Sequence, residues 1–247
     1  QTCALPILLQ QEIPPLARID NIRIQTPFAN VCTWTDFRII ASQATHIQTG
    51  IVPDAATCPA CRAELFEPSN RRYRYAFINC THCGPRLSII QGIPYDRAQT
   101  SMAKFAQCPA CLAEYENPAN RRFHAQPNAC PSCGPQLWLE NMAGEMIPLQ
   151  ADERDAVDAV NRYLKQGAIV GLMGLGGVHL VCDASNSEAV RQLRARKRRY
   201  AKPLALMARD VAVIEHYCQT NAASLTLLKS VAAPIVLLER KPVSLPL

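Results

Sequence analysis

Glycine is scarce in this 247-residue chain: ten residues, against nineteen prolines. That balance excludes a flexible low-complexity linker and points to stiff, punctuated connections. Aromatic residues make up only 6% and charged residues 19%, but 49% of the chain is hydrophobic, enough to build a globular core rather than a disordered tail. No apolar run approaches the roughly 18 residues a bilayer-spanning helix needs. A charged-then-apolar-then-small leader pattern is also missing from its start. The first residue is Gln and the last stretch stops at Leu247, so the chain reads as a fragment.

What is present in unusual amount is cysteine. Eight of the twelve cysteines fall into four CxxC pairs. In a chain without a visible secretion signal, that spacing reads as metal ligation rather than a disulfide framework, and the cytoplasm is the expected compartment. The pairs sit in two cassettes, CPACRAELFEPSNRRYRYAFINCTHCGP from Cys58 and CPACLAEYENPANRRFHAQPNACPSCGP from Cys108. Both run CxxC, eighteen residues, CxxC, and fifteen of thirty aligned positions are identical between 58–87 and 108–137.

Two residues between thiolates let one tight turn aim both sulfurs at a single ion, and two such turns close a tetrahedron. Cys58, Cys61, Cys80 and Cys83 form one expected zinc site, and Cys108, Cys111, Cys130 and Cys133 the other. With four cysteines each, no coordination position stays open, so two structural zinc ions are expected rather than catalytic ones. The competing redox reading fails because such motifs come singly within a βαβ unit. Replacing Cys58 or Cys108 by Ser is then expected to remove one ion each. His82 and His124 are surplus to the ligand count and should be solvated or packed. The repeated Asn-Arg-Arg segments (Asn70, Arg71, Arg72 and Asn120, Arg121, Arg122) could bind phosphate or stack with Tyr73, Tyr75 and Phe123 on RNA. Bracing of a small domain is the favoured role.

The net charge of +6 is modest, but Arg191, Arg194, Arg196, Lys197, Arg198, Arg199 and Lys202 lie within twelve residues, a density that suits an anionic partner. Around that cluster the texture is α/β. Strand-like segments are expected at Ile22–Ile24 and Phe37–Ala41, and a hairpin turning near Ala143-Gly144. A helix over Ala156–Leu164 should end at Gly167. Then come a strand at Ala168–Met173, a glycine turn at Gly174–Gly177 and the segment VHLVCDA. Ser185 and Glu188 have capping-box spacing for the basic helix. PLALMA (Pro203–Ala208) and PIVLLE (Pro234–Glu239) read as strands, with helices near Val211–Cys218 and Ala222–Val231. The glycine turn alone fits no phosphate-binding fingerprint; cationic side chains near it strengthen a phosphate reading. The connection between the cassettes, Leu87–Phe105, carries little visible chemistry. Cys3, Cys32, Cys182 and Cys218 read as ordinary small thiols.

Taken together, the two cassettes, YDRAQTSM between them, GLGGVHLVCDA and LRARKRRYAKPLALM resemble the HypF family of hydrogenase maturation carbamoyltransferases, from about Leu8 onward and in the family's order. The resemblance implies a multidomain α+β and α/β architecture. Residues 1–50 would be the tail of an acylphosphatase-like domain, 51–150 the tandem zinc-finger domain and 151–247 the first part of a YrdC-like domain; a TsaD-like domain completes the family's plan. It implies that Lys197 and Arg199 contact nucleotide phosphates, with Lys202, Gly176, Gly177 and His179 beside them, while Arg191 and Arg194 face solvent. Met173 stands where relatives commonly carry lysine, which removes one cation from that wall, and Tyr200 replaces a usual proline.

The family's chemistry is implied with its substrates: carbamoyl phosphate, ATP with magnesium, and the acceptor protein HypE. No catalytic residue of the family falls within these 247 positions. A binding module for RNA, or a relative that modifies tRNA, is the alternative. The zinc cassettes favour the carbamoyltransferase, since stand-alone tRNA-modifying relatives lack them.

Overall fold

The computed structural model describes residues 50–242, together with residues 11, 13, 16, 17 and 19–23. Most of the expected acylphosphatase-like tail, including the strand at Phe37–Ala41, therefore lies outside the described residues, as do Cys3 and Cys32. The chain divides into two compact units, Gln1–Cys130 and Pro131–Leu247. No helix among the described residues is long and apolar enough to cross a membrane.

In the first unit, each cassette opens with an eight-residue helix, α1 (Pro59–Phe66) and α2 (Pro109–Glu116). The CPAC sequence dictates the start. Cys58 and Cys108 are the N-caps and proline takes the first helical position, where its missing N–H is not needed. Each helix ends in extended backbone and enters a turn built by asparagine. Asn70 Oδ1 accepts from the Arg72 amide at 2.8 Å, and Asn120 Oδ1 from that of Arg122 at 2.9 Å. Two residues beyond each arginine pair, Arg74 and His124 adopt the left-handed conformation, with φ of 58° and 50°. Their amides reach back to Leu65 O and Tyr115 O of the preceding helices. The repeat in sequence is thus a repeat in backbone.

Among its described residues, large apolar side chains do not hold this unit. Its largest fully buried side chains are Arg72, Asn128, Thr100 and four cysteines, and the buried apolar set is small: Tyr75, Ile78, Ile89, Met102 and a few alanines. The connection between cassettes forms three short 3-10 turns, Leu87–Ile89, Arg97–Gln99 and Ser101–Lys104. It has more chemistry than its sequence suggests. Arg97 donates to Gln126 O, Asn128 O and Phe105 O at 2.5, 3.0 and 2.8 Å, so the linker holds the second cassette by its backbone. Gly84 is required where it stands. It has φ of +91°, its backbone exchanges hydrogen bonds with Ala55, and an added Cβ would lie 2.6 Å from Asn79 Cβ.

In the second unit, Glu140 and Met146 pair across the turn at Gly144, the hairpin expected from sequence. Helix α3 (Ala156–Lys165) is capped by Asp155, which accepts from the amides of Val157 and Asp158. It ends as expected: Gly167 has φ of +83° and the Ala168 amide reaches Tyr163 O. Strands β1 (Val170–Gly174) and β2 (Gly177–Val181) form an antiparallel hairpin in which Gly174 faces Gly177. Helices α4 (Ser187–Lys197), α5 (Val211–Tyr217) and α6 (Ala222–Leu228) follow.

Two expectations are corrected here. The cap of α4 is Asn186, whose Oδ1 accepts from the Ala189 amide, not Ser185. Ser185 is drawn away by Asp183 Oδ1, to which both its amide and its hydroxyl donate, and Glu188 pairs with Arg191 instead of closing a box. Pro203–Ala208 and Pro234–Glu239 form no regular element and join no ladder among the described residues. An apolar run becomes a strand only when a neighbour takes its backbone hydrogen bonds. Met207 and Leu237 in these runs are accordingly exposed. Pairing appears at the end of the second run, where the Gln219 amide donates to Glu239 O and the Lys241 amide to Tyr217 O.

Candidate metal centres and a candidate anion-binding segment

Each helix start brings two cysteines to one point, and the second CxxC of its cassette brings two more. The sulfurs of Cys58, Cys61, Cys80 and Cys83 all lie within 4.8 Å of one another, and so do those of Cys108, Cys111, Cys130 and Cys133. Measured pairs are 3.7 Å for Cys58–Cys80, 3.8 Å for Cys80–Cys83 and 3.8 Å for Cys108–Cys130. A disulfide would bring sulfurs to about 2.05 Å. A tetrahedron with zinc–sulfur bonds of about 2.3 Å has edges of about 3.8 Å. The quartets fit zinc. Five of the eight cysteines, Cys61, Cys80, Cys83, Cys111 and Cys130, lie at 0–4% exposure, and Cys58, Cys108 and Cys133 are half-buried.

Crowding sets the thiols of the first quartet against one another. Hydrogen bonds to Cys80 and Cys83, with burial added, push the Cys61 thiol well above its ordinary value. Cys80, accepting from Cys61 and Cys83, is pushed well below. A divalent ion held by the four sulfurs would take over the role of the shared protons. Neither histidine joins the sulfurs. His82 contributes its backbone N–H to Cys80 Sγ at 3.3 Å, and the His124 ring stacks on Tyr115 at 4.9 Å.

The arginine pairs turn out to be braces. Arg72 is 2% exposed and Arg122 3%. Arg72 donates through Nε to Ala129 O at 2.9 Å, through Nη2 to Asn128 Oδ1 at 3.0 Å, and through both terminal nitrogens to Glu114. Arg122 mirrors it, with Nε to Asn79 O at 3.0 Å and Nη2 to Glu64. Arg71 and Arg121 add ion pairs to Glu114 and Glu64, each 2.6 Å. Every one of these contacts reaches from one cassette into the other. Burial alone would raise the Glu114 carboxyl, but the hydrogen bonds and charges of Arg72 and Arg71 outweigh it and hold it down to about 2. Glu64 is lowered in the same way by Arg122 and Arg121. Both buried arginines are committed to these bonds and Tyr75 is buried against Phe77, whereas Tyr73 and Phe123 are half-buried.

The basic segment closes α4. Arg198 takes a left-handed conformation, φ 49°, and ends the helix, so Arg199 to Lys202 fold back beside it. Arg194 is not a free solvent-facing side chain, contrary to expectation: its Nη1 donates to Arg199 O and Lys202 O, both at 3.0 Å. Lys197 and Lys202 are exposed, and Arg199 Nη2 donates to Pro203 O at 2.9 Å. Gly176, Gly177 and His179 lie exposed on the β1–β2 hairpin, as does Met173. Among the described residues no hydrogen bond or ion pair ties this hairpin group to the group at the end of α4. Arg191, in contrast, pairs with Glu188 in full solvent. Arg194→Ala is therefore expected to speed hydrogen exchange of the amides over 199–202 by roughly tenfold, the loss of about 1.4 kcal/mol of charge-assisted bonding, while Arg191→Ala leaves them unchanged.

A double four-cysteine finger followed by a YrdC-type α/β segment is the class these features define, and comparison with known proteins agrees. The family described as HypF finger matches residues 57–90 and 108–140, and the Sua5/YciO/YrdC family, described as telomere recombination, matches 162–247. Carbamoyltransferase HypF of Rhodobacter capsulatus is 52% identical over 93% of this chain, and that of Synechocystis 52% over 94%. The chain covers 30% of each of these relatives. Among solved structures, full-length HypF in the phosphate- and nucleotide-bound form superposes with a TM-score of 0.86 and 41% identity, covering 99% of this chain and 31% of that one. HypF of T. kodakarensis gives 0.77 and 39%, covering 97% and 29%. The chain belongs with HypF, as a section of that protein family.

Proposed function

We propose that these residues serve an ATP-dependent carbamoyltransferase, in which residues 51–150 are a metal-braced scaffold and residues 151–247 part of a nucleotide site. The observation that carries this reading is the 48–52% identity, over 93–94% of the chain, to four proteins named as HypF-type carbamoyltransferases. In the proposed reaction, water hydrolyses carbamoyl phosphate to carbamate and phosphate. The carbamate oxygen attacks the α-phosphorus of ATP, giving carbamoyl-adenylate and releasing pyrophosphate. A cysteine thiolate at the C-terminus of the acceptor HypE then attacks the carbamoyl carbon, and AMP leaves. The resulting thiocarboxamide is the precursor of a cyanide ligand for a nickel–iron hydrogenase centre.

This chain's own residues would bind and orient. Lys197 and Arg199 supply charge-assisted hydrogen bonds to the nucleotide phosphates, and Lys202 adds a third cation. Gly176 and Gly177 let the backbone approach an anion closely, with His179 on the adjoining strand. Magnesium accompanies ATP and shares the neutralisation of its phosphates. Two zinc ions in the quartets have no open position and hold the fold only. The cytoplasm is the compartment that fits reduced CxxC pairs.

Charge-assisted contacts to phosphate are worth about 1.5–3 kcal/mol each, so Lys197→Ala in the full-length protein should weaken ATP binding roughly ten- to a hundredfold by calorimetry. Arg191→Ala should leave it unchanged, because that guanidinium is engaged with Glu188. Equal losses from both substitutions would mean a diffuse basic patch and would move the reading toward RNA binding.

A further inference from the structure

Spacing alone implies two independent metal sites. The geometry points elsewhere: we propose that the two quartets load metal cooperatively, because the arginine pair of each cassette completes the surroundings of the other's sulfurs. This inference rests on reading the quartets as metal centres.

The contacts obey the fifty-residue repeat. Arg71 places Nη1 and Nη2 each 3.4 Å from Cys111 Sγ, and Arg72 Nη2 stands 3.6 Å from the same sulfur. In the mirror position, Arg121 Nη1 lies 3.0 Å from Cys61 Sγ. Four thiolates around a divalent ion leave net negative charge on the sulfurs, and a guanidinium donating N–H groups to one of them offsets it at short range. Each quartet therefore depends for its charge balance on a side chain from the partner cassette.

The dependence is also mechanical. Arg72 touches Cys111 and Glu114 on helix α2, and Asn128 and Ala129 immediately before Cys130. It thus staples together the two halves of the second quartet, one CxxC to the other. Arg122 does the same for the first, spanning Glu64 on α1 and the carbonyl of Asn79 immediately before Cys80. Asn79 Nδ2 and Asn128 Nδ2 add bonds to Pro127 O and Cys111 O at 2.9 and 3.0 Å.

For an arginine pair to stand in place, its own cassette must be folded, since the Asn70 and Asn120 turns that aim the pairs follow directly from the metal-held helices α1 and α2. A cassette too short for an apolar core folds on metal binding. Loading one quartet consequently fixes the arginines that preorganise the other. By linkage the effect must be reciprocal, and couplings of this kind change affinity by about 5–150-fold.

The test uses the full chain loaded with zinc and titrated against a chromophoric chelator, with released thiols alkylated and identified by peptide mass. In the parent chain the two ions should leave in one cooperative step. Cys58→Ser should lower zinc affinity at Cys108, Cys111, Cys130 and Cys133 by 5-fold or more. Arg71→Gln touches no ligand of its own cassette, so it guards against simple misfolding. It should preferentially expose the Cys108 quartet to alkylation and separate the two release steps. If Cys58→Ser leaves the second quartet's affinity within twofold, or if Arg71→Gln weakens only its own cassette, the coupling is overturned. A chain that binds no zinc at all would overturn the metal reading itself, an outcome distinguished by the stoichiometry before any titration.

Discussion

Stripping the metal with a chelator should unfold residues 58–130 while α3 and the β1–β2 hairpin stay protected from hydrogen exchange. The size of the effect follows from what the first unit buries. Over the described residues 50–130 its fully buried large side chains are arginine, asparagine, threonine and cysteine, not leucine or phenylalanine. Burying an apolar side chain contributes about 1.5–3 kcal/mol, and few are buried here. A structural zinc site contributes about 10–16 kcal/mol of apparent binding free energy, as much as the whole stability of a typical domain, about 5–15 kcal/mol. No rearrangement of this unit's small core can offset its loss. Unchanged protection over 58–130 in the metal-free chain would show that the arginine network alone holds the fold.

The second large effect belongs to Arg72. Replacing it with alanine should cost about 3–5 kcal/mol, the range for breaking a buried, hydrogen-bonded ion pair. Ala129 O and Asn128 Oδ1 would lose the Arg72 donor together, and Glu114 would keep Arg71 but lose the buried half of its pairing. Arg122→Ala should cost as much, by the repeat. Arg191→Ala, whose partner Glu188 is solvated, should fall within about 0.5 kcal/mol. Lysine should not rescue position 72, because one ammonium cannot reproduce a planar fork that serves three acceptors at once.

The pH dependence has a definite sign. The Glu114 carboxyl, held at about 2 in the folded chain against an ordinary 4.5, stabilises fully above pH 4.5 and loses that contribution as pH falls toward 2. Denaturant unfolding of parent and variant at neutral and acid pH measures both the magnitude and the window. Equal stabilities of the Arg72→Ala and Arg191→Ala chains would contradict the assignment of Arg72 as a brace.

The quartets were legible because ligand spacing is a local property: two residues between sulfurs fix a turn regardless of the rest of the fold. The hairpin at Gly144 and the helix end at Gly167 were legible for the same reason, each set by one glycine's backbone freedom. Bracing by the arginine pairs could be inferred, but not that each pair crosses to the other cassette. That is a tertiary fact, although a signal for it existed. Glu64 and Glu114 recur at one offset in both repeats, each seven residues ahead of the repeated arginine pair.

Arg97 was missed altogether, since its partners are backbone carbonyls, which carry no sequence signature. The cap of α4 slipped by one residue because Ser185 and Asn186 are both competent caps, and a bond to Asp183 decided between them. Pro203–Ala208 and Pro234–Glu239 looked like strands because apolar patterning reports burial preference, whereas a ladder also needs a neighbour.

Exchange of labelled pyrophosphate into ATP by the full-length protein tests the functional account most directly, because it reports the adenylation step alone, before any acceptor is needed. Exchange should depend on carbamoyl phosphate and fall by ten- to a hundredfold at subsaturating ATP in Lys197→Ala, with Arg191→Ala unaffected. Exchange that proceeds without carbamoyl phosphate, or that is indifferent to Lys197, would contradict the assignment of these residues to a carbamoyl-adenylate-forming site.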